Sequence, residues 1–186
     1  FLLFILSSCH SSAQKKDDYT FKIDSLIQNS TSPVFNGVVL ISKNGKTLYS
    51  KAHGFANFEN KKPLTPNTQF EIMSNSKQIA AVLVLQEVEK GKVDLNSPIK
   101  KYIPELKQSW ADSVTVHQLL NHTHGIIALD KPLLFKPGSD YKYGNLNFSL
   151  LGKIVEGTSG KSYSDLANAL FKKLKMKNTN VYVKDQ

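Results

Sequence analysis

The order of elements in this 186-residue sequence predicts an α+β fold, strands first and helices after, rather than a doubly wound sheet. Two observations carry that prediction. A β-rich run from Phe35 to Ile41 returns as Thr47 to Ala52 across the turn signal Asn44-Gly45. From Ser76 to Glu89 the pattern becomes helical, with Ile79 to Leu85 and Val88 apolar and Lys90-Gly91 as the stop.

Residues 1–13 stand apart from that fold. The run Phe1-Leu2-Leu3-Phe4-Ile5-Leu6 is far shorter than the ~20 apolar residues that span a bilayer. It resembles the tail of the apolar region of a secretory signal peptide, without an initiator Met or a basic start, so a clipped N-terminus is expected. Two processing sites overlap there. Leu6-Ser7-Ser8-Cys9 resembles a bacterial lipobox, with Cys9 as the lipidated residue, and Ser11-Ser12-Ala13 resembles an ordinary small-x-small cleavage site. The expectation is an exported protein, periplasmic or anchored in the envelope through Cys9, with residues 14–186 as its folded part. Cys9 is the single cysteine, so no disulfide can form within the chain and packing must hold the core together.

Each element of the folded part has its own signal. Tyr19, Phe21, Ile23, Leu26 and Ile27 fit a short amphipathic helix over 18–29, imperfectly. Asn-Gly suits the left-handed turn of a two-residue hairpin, so the runs on either side of it pair antiparallel. Gln69-Phe70-Glu71-Ile72 reads as strand-like. The apolar run that follows is too wide for a surface stripe and predicts a helix buried on most sides. Shorter helices are expected near Val114 to Leu120, Leu146 to Glu156 and Tyr163 to Leu174, separated by Pro and Gly.

Charge argues against one class of partner. The 24 basic residues exceed the 15 acidic ones by 9, yet all 24 are Lys. Arg is the residue best suited to bidentate phosphate and base recognition, and these lysines are dispersed rather than gathered in a stripe. A solvated basic surface with weak attraction for anionic envelope polymers fits better than nucleic-acid binding.

The chemistry candidate is Ser74-Asn75-Ser76-Lys77, at the head of the long helix. Helix positions three apart share a face, so Lys77 can reach the Ser74 hydroxyl. A serine hydroxyl becomes a nucleophile when a neighbouring base takes its proton. Lysine can serve if desolvation and the positive end of the helix dipole lower its pKa, which predicts a buried Lys77. The same helix terminus would offer backbone N–H groups to a developing oxyanion. Spacing alone is weak evidence: with 19 Ser and 24 Lys, about 2.5 such pairs arise by chance. Four occur, starting at Ser12, Ser74, Ser97 and Ser139, and only Ser74 opens a long apolar helix.

A second element is Tyr143-Gly144-Asn145, after Phe135-Lys136-Pro137-Gly138 and before Phe148-Ser149-Leu150-Leu151-Gly152. With it the chain resembles the serine β-lactamase-related and penicillin-binding-protein-like hydrolases, in the branch with a Tyr-x-Asn motif. The resemblance covers roughly residues 35–180. It includes Gly37-Val38-Val39, Ser74-x-x-Lys77, Asp94-Leu95-Asn96-Ser97-Pro98-Ile99, Leu119-Leu120-Asn121-His122-Thr123-His124-Gly125, and Leu150-Leu151-Gly152 through Gly160. It implies a β-lactamase/transpeptidase-like fold and an acyl-enzyme hydrolase of amides or esters. Ser74 would be the acylated nucleophile, Lys77 and Tyr143 would share proton transfer, and Asn145 would orient substrate or the Lys77 amine. β-Lactams, D-Ala peptides, D-amino-acid amides and short esters are the implied substrates, and no metal or organic cofactor is required.

The family's third motif, a Lys- or His-containing triplet ending in Gly on a later strand, has no match between Asn145 and Gln186. This chain is therefore expected to be an N-terminal portion, its hairpin lacking partner strands and showing an exposed edge and apolar face, and to be poorly active alone. His124 stands where the family usually has a small residue, and is read as a surface or capping histidine. Metal binding by His117, His122 and His124 is disfavoured, because their spacings lie poorly on one helix face. The alternative function is a non-catalytic envelope binding protein or lipoprotein that keeps the fold. A pure binder needs none of Ser74, Lys77 and Tyr143, which all occur together here.

Overall fold

The computed structural model describes residues 19–182, so the expected signal remnant and Cys9 lie outside the described residues. The chain divides into two compact units, with the boundary between Thr68 and Gln69.

In the first unit, helix α1 (Tyr19–Gln28) precedes the hairpin of β1 (Gly37–Lys43) and β2 (Lys46–His53). Asn44 and Gly45 have φ of 51° and 73°, the paired left-handed turn that the Asn-Gly signal predicts. The strands run antiparallel, with Gly37 opposite His53. Between the pairs Ile41–Tyr49 and Ser42–Thr47 the register shifts, which leaves Leu48 as the extra residue of a bulge. Leu40 is 65% exposed on this two-stranded sheet.

The helix α1 is less amphipathic in practice than its pattern suggests, since none of its residues is fully buried and Phe21 and Leu26 are exposed. A polar clasp links it to β2. Asp24 accepts from the Lys51 ammonium (2.5 Å) and the Tyr49 hydroxyl (2.6 Å), and those bonds hold its carboxyl below the usual range. A second small hairpin, β3 (Phe55–Asn57) with β4 (Lys62–Pro63), follows. Asn36 fixes its start by imitating a strand backbone: Oδ1 accepts from Phe55 N–H (2.7 Å) and Nδ2 donates to Phe55 O (3.1 Å). Gly54 is required beside it, because its φ is +85° and a Cβ there would lie 1.9 Å from Asn36 Oδ1.

The second unit is helical. Helix α2 spans Ser76–Glu89, the predicted bounds. Helix α4 (Leu146–Ser159) packs against α2, α3 (Val116–Leu120) and α5 (Tyr163–Lys173). Its buried stripe is Asn147, Leu150, Leu151, Ile154 and Val155, the spacing of one helical face. Leu83 and Val84 of α2, Leu119 of α3 and Phe171 of α5 close the same core, together with Ile99, Ile103 and Val114 from the connecting segments. Helix α3 starts two residues later than expected. Val114 stays outside it because its carbonyl accepts from Ile99 N–H (2.9 Å), and Thr115 then forms a capping box with Gln118. Ser162 caps α5 by accepting from Asp165 N–H (3.1 Å).

Two expectations are corrected. Helix α2 is not buried on most sides: Ala80, Leu83, Val84 and Glu87 form one buried stripe, while Val82 and Leu85 are exposed. Both of its faces are aliphatic, but only one meets the other helices of the unit. Residues 69–72 form no strand, because no partner strand pairs with them among the described residues. Phe70 and Ile72 are half-exposed there, and the Gln69 amide donates to Asn178 O (2.6 Å).

Candidate active site

Ser74 sits in a single 3₁₀ turn, Met73–Asn75, that leads into α2. Met73 has φ +47°, a left-handed conformation that costs an ordinary residue about 1 kcal/mol or more. This bend delivers Ser74 one turn ahead of Lys77, whose ammonium donates to Ser74 Oγ at 3.1 Å. The i, i+3 reach predicted from spacing is therefore present. Lys77 itself is half-buried rather than buried as expected. Its Nζ lies over the rings of Tyr143 (4.8 Å) and Phe148 (5.7 Å), a cation–π setting on one side of an open site. The expected oxyanion donors downstream of Ser74 are engaged, since Asn75 N–H bonds to Ile72 O (3.0 Å) and Ser76 N–H to Met73 O.

The second half of the site comes from the segment before α4. Tyr143 donates its hydroxyl to Ser74 Oγ at 2.7 Å, and Lys77 donates to Asn145 Oδ1 at 2.7 Å. Ser74, Lys77, Tyr143 and Asn145, separated by up to 71 positions in the sequence, thus form one hydrogen-bonded cluster. The Lys77 ammonium, and next the Ser74 hydroxyl, hold the Tyr143 phenol below its ordinary value of 10. Asn145 is the N-cap of α4 but makes no capping bond, because its carbonyl faces Lys77.

Two further residues, not singled out as site residues in the sequence, support Tyr143 from behind. His122 has φ +63° and stacks on the Tyr143 ring, with centroids 4.7 Å apart and planes at 30°. Asn147, fully buried, donates to Leu119 O (2.7 Å) and lies 3.1 Å from His122 Nδ1. Its sequence signal was positional: a polar residue at the head of the apolar stripe of α4. His124 is not a surface histidine. It is 1% exposed, its Nδ1 accepts from Ile126 N–H (2.8 Å), and burial and then the neighbouring His122 push its pKa down to about 4. Gly125 beside it has φ +75°, and a Cβ would come within 2.5 Å of Phe135 O, so this loop can approach the 133–135 segment only with glycine there.

The cluster opens into a cleft of about 420 Å³ lined by Met73, Ser76, Phe148, Ser149 and Tyr163 as well as Ser74, Lys77 and Asn145. Among the described residues no group of three His, Cys, Asp or Glu side chains could hold a metal ion. A hydroxyl touched by a phenol and an amine, at the mouth of a cleft, is an arrangement for nucleophilic attack with proton transfer.

A helical core with small antiparallel sheets matches the β-lactamase/transpeptidase-like fold class. The chain belongs to the Beta-lactamase family, whose model matches residues 23–186. It is 35% identical over 167 residues to the teichoic acid D-alanine hydrolase of Staphylococcus aureus, a match covering 81% of this chain and 41% of that protein. Its structure is similar to FmtA of Staphylococcus aureus, with TM-score 0.79 and 30% identity over 88% of this chain and 50% of that one. It is also similar to a class C β-lactamase solved in complex with cefoxitin, with TM-score 0.78 and 29% identity over 91% of this chain and 52% of that one. The chain spans about two fifths of the length of the curated relatives it matches.

Proposed function

We propose that the protein carrying this chain is a serine hydrolase that works through an acyl-enzyme on Ser74. The observation that carries the proposal is the pair of contacts at Ser74 Oγ, Tyr143 at 2.7 Å and Lys77 at 3.1 Å. As Oγ bonds to the substrate carbonyl carbon, its proton passes to the Tyr143–Lys77 pair in the form that has already lost one proton, with the Tyr143 oxygen, whose phenol Lys77 holds below its ordinary value, as the acceptor. The same pair then gives a proton to the departing amine or alcohol. Water attacks the acyl group afterwards and regenerates Ser74 by the reverse transfer. Asn145 holds the Lys77 amine in reach of both partners.

The substrate class proposed is a D-alanyl ester or amide of the cell envelope, with β-lactams as mechanism-related acylating agents. Support comes from the relative named teichoic acid D-alanine hydrolase and from the cleft that opens at Ser74. Export, with Cys9 as the lipid anchor, accompanies this reading, and nucleic acid has no part in it. The test is labelling with a fluorophosphonate or a fluorescent penicillin. Attachment at Ser74, abolished by Ser74→Ala, is the expected result. A protein that reacts at Ser74 with neither probe nor with a D-alanyl ester refutes the proposal. Nitrocefin, a D-Ala-D-Ala peptide and a D-alanyl ester then rank the substrates.

A further inference from the structure

Tyr143 precedes α4 on a segment with no regular structure of its own, yet its hydroxyl must stay within hydrogen-bond range of Ser74. One residue touches three consecutive positions of that segment. His122 accepts from Lys142 N–H through its backbone carbonyl (2.9 Å), stacks its ring under Tyr143, and receives Gly144 N–H at Nδ1 (3.3 Å). It does this from a left-handed backbone, φ +63°, that a non-glycine residue adopts at a cost.

The state of the His122 ring follows from its neighbours. The Asn147 amide nitrogen donates to Leu119 O at 2.7 Å, which fixes that amide's orientation, since a flipped amide would set two oxygens against each other. With Nδ2 so placed, 3.1 Å from His122 Nδ1, the imidazole nitrogen must be the acceptor. Gly144 N–H makes the same demand. A neutral imidazole with its proton on Nε2 turns its one Nδ1 lone pair toward both donors, which share it, whereas a proton on Nδ1 would oppose both. Burial first and the Lys77 charge second lower the His122 pKa, in keeping with that form.

We propose that His122, oriented by Asn147, is a positioning residue that holds Tyr143 on Ser74. It makes no hydrogen bond to Ser74 or Lys77 among the described residues, so it acts through Tyr143. This proposal rests on the acyl-enzyme reading above, and its test separates the two. In the full protein, His122→Asn retains an amide oxygen near the Nδ1 position and tolerates a left-handed backbone, but removes the stacked ring. His122→Phe retains a ring and removes the acceptor. Each is made alone and on a Tyr143→Phe background, with fluorophosphonate labelling of Ser74 followed in time.

The expected result is that either variant slows acylation roughly 10- to 100-fold in the Tyr143 protein, and by less than about twofold once Tyr143 is Phe. An equal loss on both backgrounds, or no loss on the first, overturns the proposal. Should His122→Phe fail to fold, His122→Asn decides alone. A readout independent of activity is the nuclear magnetic resonance position of the Tyr143 ring signals, assigned by their loss in Tyr143→Phe. They move in His122→Asn if the ring is stacked as described, and unchanged signals overturn the proposal. A wild-type protein that never labels at Ser74 refutes the acyl-enzyme reading instead, and the ring signals still decide the positioning.

Discussion

Asn145 stands where a helix N-cap side chain normally accepts from the free N–H groups of the first turn, and it does not do so. An N-cap bond is worth about 1 kcal/mol, and here that contribution is forgone in favour of Lys77. Removal of the side chain therefore has little helix stability to lose. Asn145→Ala is expected to slow acylation at Ser74 roughly 10- to 100-fold, the worth of a hydrogen bond to a charged group, while the melting temperature stays within about 2 °C. Stopped-flow or gel-based labelling beside a thermal melt checks both halves. The cluster of Ser74, Lys77, Tyr143 and Asn145 was legible in the sequence because Ser74-x-x-Lys77 opens a long apolar helix and Tyr143-x-Asn145 follows it in the order of the family it resembles. His122 and Asn147 were not legible as site residues. Their contacts run across 22 and 28 positions, and a histidine in a loop or an asparagine in a first helical turn has bland readings that spacing cannot exclude. Lys77 was legible in place but not in depth: the helix it opens is aliphatic from Ile79 to Leu85, yet only one face of α2 is covered.

At the scale of elements, α4 is the beam on which the site rests. Its first turn carries Asn145 and Phe148 toward Lys77, and its buried stripe packs on α2, which carries Ser74 and Lys77. Leu151, 0% exposed, lies at the centre of that stripe. Leu151→Ala should destabilise the unit by about 2–5 kcal/mol through lost burial and the cavity left behind. Urea unfolding checks this, with a shifted midpoint at unchanged slope. The bounds of α2 and, within a residue, of α5 were legible because apolar periodicity begins and stops at clear signals, as was the start of α4, which runs three residues past the expected Glu156. The hairpin β3–β4 was not, since three- and two-residue strands carry no alternation and a side chain, Asn36, starts their pairing. The strand reading of residues 69–72 failed for the converse reason: alternation was present, but no pairing partner is found among the described residues.

Across the whole molecule, the buried histidines set a dependence of stability on pH. His124 has an ordinary value of 6.5 unfolded and about 4 folded, so between these values the unfolded chain takes up a proton that the folded chain refuses. Stability is full above pH 6.5 and falls as pH drops toward about 4, by about 3 kcal/mol at most from this residue. His122, also lowered, adds in the same direction. Asp24 and Asp94 lie below the usual carboxylate value of 3.8, so their loss falls at lower pH. Denaturant midpoints at pH 4.5 and 7.5 should differ clearly in the wild type, and less in His124→Asn, which keeps an acceptor for Ile126 without titrating. The all-lysine cation set has a consequence of another kind. Towards electrophiles, the Lys and Arg complement of these 186 residues is 24 primary amines and no guanidinium, so a mild acylating reagent would erase that charge and leave 15 carboxylates. Lys77 is the amine in that set already engaged by Ser74, Asn145 and two aromatic rings. Its place in the order of modification becomes a chemical footprint of whether the cluster is assembled in solution.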